Sequence, residues 1–248
     1  HSEETALLSG VDGQVIWRRD RQISNRGVGG TPFAVADFDG DGLDDIASLH
    51  PSILYIMRGA TGVDIIARDA LWDEVPAKPV YWGLPVALQL QGQPHIFFGT
   101  GNRSMTGLIR ADGSLVWWDA LDHSPWTLPA FGRFDDSEAL QAAGWAYPDG
   151  LRCYDAATGQ IVWRLPVPEP SGVSGLASGD VDGDGLDEVV CAAGVQVLCL
   201  KVRDGVGRVA WSVPMPCHLG PPTLADVDGD GTLSILVVGS DGKVYCLR

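Results

Sequence analysis

The chain has 248 residues, 45% of them hydrophobic, and a formal net charge of -15. This length suffices for one large domain or two small ones, and no apolar run approaches the roughly 18 residues of a membrane span. The acidity speaks against a nucleic-acid binder, which needs a basic footprint.

His1 reads as a processed end or a tag remnant rather than as a metal-binding amine. "ALLSG" (6–10) then has the pattern of a third strand and "QVIW" (14–17) that of a fourth. The acidic "DFDGDGLDD" (37–45) runs into the apolar "IASL", and "GATGVDIIARD" (59–69) supplies another turn and strand. "ARDALWDEVPAK" (67–78) is the best helix candidate, but it is short and Pro76 breaks it. "VYWGLPVALQLQGQPHIFFG" (80–99) and "SPWTLPAFGRFDDSEALQAAG" (124–144) are repeats without the acid loop. Aligning "LPVALQ" with "LPAFGR" places Gln89 and Arg133 where the first Asp of the loop stands. Between them, "GNRSMTG" (101–107) lacks the strand-to-helix context of a nucleophile elbow or a phosphate loop. "DVDGDGLDE" (180–188) and "DVDGDG" (226–231) bring the acid loop back, and the chain ends in "KVYCLR".

These segments are periodic. The acid loops begin at Asp37, Asp180 and Asp226, with steps of 143 and 46. "DGQVIW", "DGSLVWW", "TGQIVW" and "VGRVAW" carry Trp17, Trp117, Trp163 and Trp211, with steps of 100, 46 and 48. Short apolar runs punctuated by Gly and Asp-Gly are strand and hairpin signals. Four such strands in about 48 residues match a propeller blade. The expected fold is therefore an all-β β-propeller of five four-stranded blades. They fall at about 30–70, 80–120, 125–167, 172–214, and 219–248 completed by 5–18. Closure by the N-terminal strand would remove an exposed sheet edge. The third-strand pattern at 6–10 overlaps that scheme and keeps a piece of a longer propeller open. The periodic tryptophans are expected to dock one blade on the next. Cys153, Cys199 and Cys246 recur at one place in the repeat, which predicts buried thiols rather than a disulfide framework.

Alternate acids at positions 1, 3 and 5, glycines that permit a sharp turn, and a carbonyl at position 7 form a site for a hard cation. The expected ligands are Asp37, Asp39, Asp41, the Leu43 carbonyl and Asp45 in the first loop. They are Asp180, Asp182, Asp184, the Leu186 carbonyl and Glu188 in the second, and Asp226, Asp228, Asp230 and the Thr232 carbonyl in the third. Ser234 at position 9 makes the third site the weaker one. An EF-hand is excluded because position 12 holds Ser48, Cys191 and Val237 and the flanks are β-type. Two Ca²⁺ ions, with a weaker third, are the expected cofactors.

"ADFDGDGLDDIASL", "GDVDGDGLDEVVCAA" and "ADVDGDGTLSILVVG" resemble FG-GAP/VCBS-type calcium-binding propeller repeats, as in integrin α-subunits. "YDAATGQIVWRL" resembles the tryptophan-docking repeat of PQQ-like quinoprotein propellers. Together the resemblances cover nearly the whole chain. They imply structural calcium and name no activity.

Ligand recognition is expected at a channel mouth, where Trp82 and Trp126 hold equivalent positions and Trp72, Tyr81, His123, Arg133 and His218 lie on nearby connections. His50 and His95 sit at strand ends without a partner at a metal or triad spacing. The leading functional reading is a non-catalytic binding module for a glycan or a protein. A polysaccharide-lyase-like or other carbohydrate-active enzyme is the alternative, with a quinoprotein dehydrogenase as its weaker variant. An assembly fragment of a larger propeller protein is the third reading. A closed ring would be a monomer, and an open one would share strands between chains. Calcium loops suit an extracellular, periplasmic or cell-surface site.

Overall fold

Residues 3–21, 32–50, 53–68, 83–100, 105–120, 129–146, 150–166 and 173–248 are described by a computed structural model. No helix occurs among them. The 67–78 candidate lies largely outside the described residues; its start, 67–68, is strand.

Two compact units divide the chain, His1–Trp118 and Asp119–Arg248. In the first, β1 (Glu3–Leu8) and β2 (Val15–Arg21) form a hairpin. Blade 1 follows as β3 (Ala34–Ala36), β4 (Asp45–His50), β5 (Ile53–Arg58) and β6 (Asp64–Arg68). Blade 2 is β7 (Gly83–Leu90), β8 (Gln93–Thr100), β9 (Met105–Arg110) and β10 (Leu115–Ala120), whose last residues cross the boundary. In the second unit, blade 3 is β11 (Ala130–Gly132), β12 (Gln141–Ala146), β13 (Gly150–Asp155) and β14 (Ile161–Leu165). Blade 4 is β15 (Val173–Gly179), β16 (Glu188–Ala193), β17 (Gln196–Arg203) and β18 (Val206–Pro214). A final sheet holds β19 (Thr223–Ala225), β20 (Ser234–Val238) and β21 (Val244–Leu247).

Every sheet is a meander, each strand pairing with the next in sequence. Among the described residues four sheets have four strands and the final one has three. β2 pairs with β1, and β21 pairs with β20. First strands lie beside first strands, β3 by β7 and β11 by β15 by β19. The cores fill the gaps between successive sheets. Leu49, Leu54, Ile56, Ile96 and Phe98 join blades 1 and 2; Leu151, Trp163, Val189 and Leu200 join blades 3 and 4; Val190, Val197, Ile235 and Val237 join blade 4 to the final sheet. β16 is buried along its whole length because both faces are covered, which is why "EVVCAA" reads as a continuous run after its first residue.

The tryptophans show how one sheet docks on the next. The Trp17 indole donates to the Gly59 carbonyl at 2.7 Å, and its ring lies 2.8 Å from where a Cβ on Gly62 would sit. Arg19, two residues on, donates to the Gly62 carbonyl and pairs with Asp64 at 2.6 Å. In blade 1 the tryptophan position is Ile66, and Arg68 repeats the second contact by donating to the Gly113 carbonyl at 2.8 Å. Trp163 packs on Gly207 in the same way. Its indole N–H is buried without a partner; the facing β17–β18 turn, Asp204-Gly205 (φ 56° and 71°), has two residues where the turn facing Trp17, Gly59–Gly62, has four. Trp117 packs edge-on against Phe97 of its own sheet at 5.7 Å.

Two expectations need correction. Trp211 is 36% exposed, whereas Trp163 is 4%. Of the three repeat-related thiols, Cys153 and Cys199 are buried but Cys246 is exposed. β21, which carries Cys246, has a paired neighbour on one side only among the described residues. All five cysteines are free, and burial pushes the Cys191 and Cys199 thiols up to about 12.

Candidate metal centres

Each acid loop spans the turn between a first and a second strand. Its first aspartate holds the turn shut. Asp37 accepts the N–H groups of Gly40, Asp41 and Gly42 at 2.7, 3.1 and 2.9 Å. Asp180 does the same for Gly183, Asp184 and Gly185 at 2.7, 3.1 and 2.9 Å. Asp226 repeats it for Gly229, Asp230 and Gly231 at 2.7, 3.2 and 2.9 Å. These N–H groups hold the Asp226 carboxyl below its ordinary value, Gly231 foremost. Both glycines of every loop have φ between +76° and +88°, a conformation that disfavours a side chain. Position 5 then caps position 7: Asp41 accepts from Leu43, Asp184 from Leu186 and Asp230 from Thr232.

This curl brings carboxylates together. One oxygen each from Asp37, Asp39 and Asp41 lies within 4.8 Å of the others, and the same holds for Asp180, Asp182 and Glu188, and for Asp226, Asp228 and Asp230. Such groups of hard oxygens are suited to a divalent cation such as Ca²⁺.

Position 9 does something the spacing alone did not reveal. It is the first residue of the second strand and is buried in every case: Asp45 1%, Glu188 2% and Ser234 3% exposed. Asp45 Oδ2 accepts the N–H groups of Phe38 and Asp39 at 3.0 and 3.2 Å, and Glu188 Oε2 accepts that of Val181 at 2.9 Å. Burial raises both carboxyls above their usual range. Asp45 thus anchors the loop from beneath and stands outside the three-oxygen group, while Glu188 stands inside its own.

Each loop also has a basic side chain from the third strand, which sequence reading did not single out. Arg58 is the cross-strand partner of Asp45 and reaches Asp39 at 3.0 Å. Arg248, one residue beyond the Ile235–Leu247 pair, reaches Asp228 at 2.7 Å. Lys201, one residue beyond the Val189–Leu200 pair, goes further. Its Nζ contacts Asp182, Asp184 at 3.0 Å and Glu188 at 3.2 Å. Arg203 adds a second bond to Asp184 at 2.6 Å. Burial opposes the charge on Lys201, but its three carboxylate partners outweigh that and hold the ammonium above the ordinary lysine value. Arg203 first, then Lys201, hold Asp184 well below the carboxylate range. Asp184 is therefore engaged by cations of the protein itself. The signal that reveals these residues is a Lys or Arg 13 or 14 positions after position 9 in all three repeats.

Blades 2 and 3 replace the loop. Blade 2 closes β7 to β8 with Gln91-Gly92, both at positive φ (53° and 73°), a two-residue hairpin turn that leaves Gln89 in the strand. Blade 3 keeps the loop's length. Asp135 accepts from the Ser137 N–H at 2.9 Å, and Gln141 at position 9 donates to Ser137 Oγ at 3.2 Å.

Of the residues expected at the channel mouth, Trp72, Tyr81, Trp82, His123 and Trp126 lie outside the described residues. Arg133 is exposed and donates through Nη2 to the Gly185 carbonyl at 2.7 Å, while its N–H donates to Asp187 at 2.8 Å. These bonds tie it to the acid loop of the following blade. His218 is exposed, and its carbonyl accepts the Ser240 N–H. His95 Nδ1 lies 3.0 Å from the Gln93 carbonyl, within its own strand.

No family model and no curated relative matches the sequence. Solved structures do. The chain is similar to BamB from Moraxella catarrhalis (12% identity, 98% of this chain, 66% of that one, TM-score 0.66). It is similar to BBS1N, solved in complex with ARL6DN (15%, 86% and 64%, TM-score 0.57). It is also similar to the quinohemoprotein alcohol dehydrogenase from Comamonas testosteroni (15%, 93% and 42%, TM-score 0.55). The fold is a β-propeller. The chain spans about two thirds of the length of the first two and less of the third.

Proposed function

We propose that this chain is a non-catalytic β-propeller binding module whose acid loops hold structural Ca²⁺, and that its partner is a protein. The observation that carries the calcium reading is the convergence of carboxylate oxygens within 4.8 Å at equivalent turns of three sheets. Asp37, Asp39 and Asp41 would hold one ion and Asp226, Asp228 and Asp230 another. Bound there, the ion supplies positive charge to a turn whose backbone is already closed by Asp37 or Asp226. The FG-GAP/VCBS resemblance supports the same reading. Support for a protein partner comes from the shared fold with BBS1N, whose structure was solved with ARL6DN. Joining the N-terminal strand to the final sheet, as the repeat count suggests, belongs to this proposal. So does an extracellular or periplasmic site, where calcium fills loops of modest affinity. No helix among the described residues is long and apolar enough to cross a membrane.

The reading is tested by assay and by titration. Calcium raises the unfolding temperature, and the protein neither forms unsaturated uronate absorbance from polyuronates nor reduces dye with PQQ and an alcohol. Turnover in either assay overturns the non-catalytic reading. A calcium-insensitive unfolding temperature overturns the structural ion.

A further inference from the structure

The three acid loops look alike in sequence, but their internal cations differ. Arg58 and Arg248 are largely exposed (side chains 52% and 62%), and each contacts one carboxylate of its loop, at position 3. The Lys201 side chain is 15% exposed and its ammonium meets three carboxylates, at positions 3, 5 and 9. One of these, Glu188, is 2% exposed and needs a counter-charge if it is to stay ionised in the core. Lysine suits this place better than arginine. It is a compact charge with three rotatable donors, whereas guanidinium is a planar fork made for one carboxylate. Two of the three converging carboxylates, Asp182 and Glu188, are thus taken up by Lys201, and the position 5 carboxylate by Lys201 and Arg203 together.

We infer that Lys201 is the resident cation of the second loop and stands in for the metal that the spelling of that loop suggests. The second loop, Asp180–Glu188, whose acid set equals that of the first, is then the metal-independent one, while the first and third loops take ions from solution. The second half of this inference rests on the calcium reading above; the first half does not.

The test uses the whole chain and two substitutions. Lys201→Met lowers the unfolding temperature in EGTA below that of the parent in EGTA. Calcium restores it, and the variant binds one more ion per chain than the parent by calorimetric titration. Asp182→Asn, at an exposed site that does not threaten folding, leaves the parent's ion count unchanged. Equal unfolding temperatures of Lys201→Met and parent in EGTA overturn the inference. Loss of one bound ion in Asp182→Asn also overturns it, because the loop then holds metal despite Lys201. If neither protein binds calcium and Lys201→Met still melts earlier, the lysine is the resident cation and the calcium reading fails by itself.

Discussion

Blades 3 and 4 are neighbours in sequence and share a core, yet they close the same turn with different chemistry. In blade 4 the buried residue at position 9 is Glu188, opposite Lys201, within a set of ionic bonds. In blade 3 it is Gln141, 1% exposed, opposite Asp155, within a chain of hydrogen bonds to Ser137 and Asp135. A polar side chain stands at that place in both blades: Glu188 accepts the Val181 N–H, and Gln141 donates to the Ser137 hydroxyl. A charge is not needed. Charge enters only where a cation faces it, and this is the lesson of the pair: the anchor belongs to the fold and the ion belongs to the individual loop. The fourth strands differ as well, Trp163 of β14 being covered and Trp211 of β18 half open.

The largest expected effect breaks the second contrast. Trp163→Ala removes a buried indole from the core between blades 3 and 4 and costs about 3–5 kcal/mol; Trp211→Ala costs about 1 kcal/mol or less. Urea unfolding of both variants reads the difference, and equal losses would erase the distinction between the two strands.

Next, Gln141→Glu places a carboxyl at the buried anchor of blade 3 with Asp155, not a lysine, across the strand. It costs about 1–3 kcal/mol at neutral pH. Its folded pKa is raised, so stability falls as pH rises through that value and recovers in acid. A pH-independent loss would show that charge is not what separates the two blades.

Arg133→Ala removes the guanidinium bond to Gly185 and costs about 0.5–1.5 kcal/mol, with no loss of bound ions. A fall in ion count would assign Arg133 to the metal loop itself.

The smallest effect is expected at Asp241, which lies apart from the acid loops. Lys243 first, and Tyr245 next, hold its carboxyl below the ordinary 3.8. Its contribution is present above that pH and fades as pH falls through the lowered value. Asp241→Asn therefore lowers stability slightly at neutral pH and flattens the acid limb of the curve, so that variant and parent converge at low pH.

Much of this was legible in the sequence. Strand positions, the meander and the acid turns follow from spacing, because each turn needs Gly at positive φ and each strand needs a short apolar run. The repeats were expected to start near 30, 80, 125, 172 and 219, and their first strands begin at Ala34, Gly83, Ala130, Val173 and Thr223. Spacing could not show which acids face the ion and which face the backbone. Asp45 and Glu188 both sit at position 9, but one methylene lets Glu188 reach Lys201 and join its cluster while Asp45 stays beneath its loop. Spacing within the loop does not reveal Lys201 either, since the basic residue comes from a different strand and reaches the loop across the β16–β17 register; only its recurrence 13 or 14 positions after position 9 marks it. Arg133 matched the first Asp by alignment, and its guanidinium, a donor where the aspartate is an acceptor, reaches the Gly185 carbonyl of the next loop instead.

The central claim is that the acid loops take up structural calcium. Thermal unfolding in EGTA, followed by calcium titration, tests it most directly. An ion at a hundredfold excess over its dissociation constant adds about 2.7 kcal/mol, and for a chain of this size each kcal/mol moves the midpoint by about 2–4 °C. The account predicts a fall of roughly 5 °C or more on chelation, restored by ions at the first and third loops. The same midpoint with and without EGTA would contradict it.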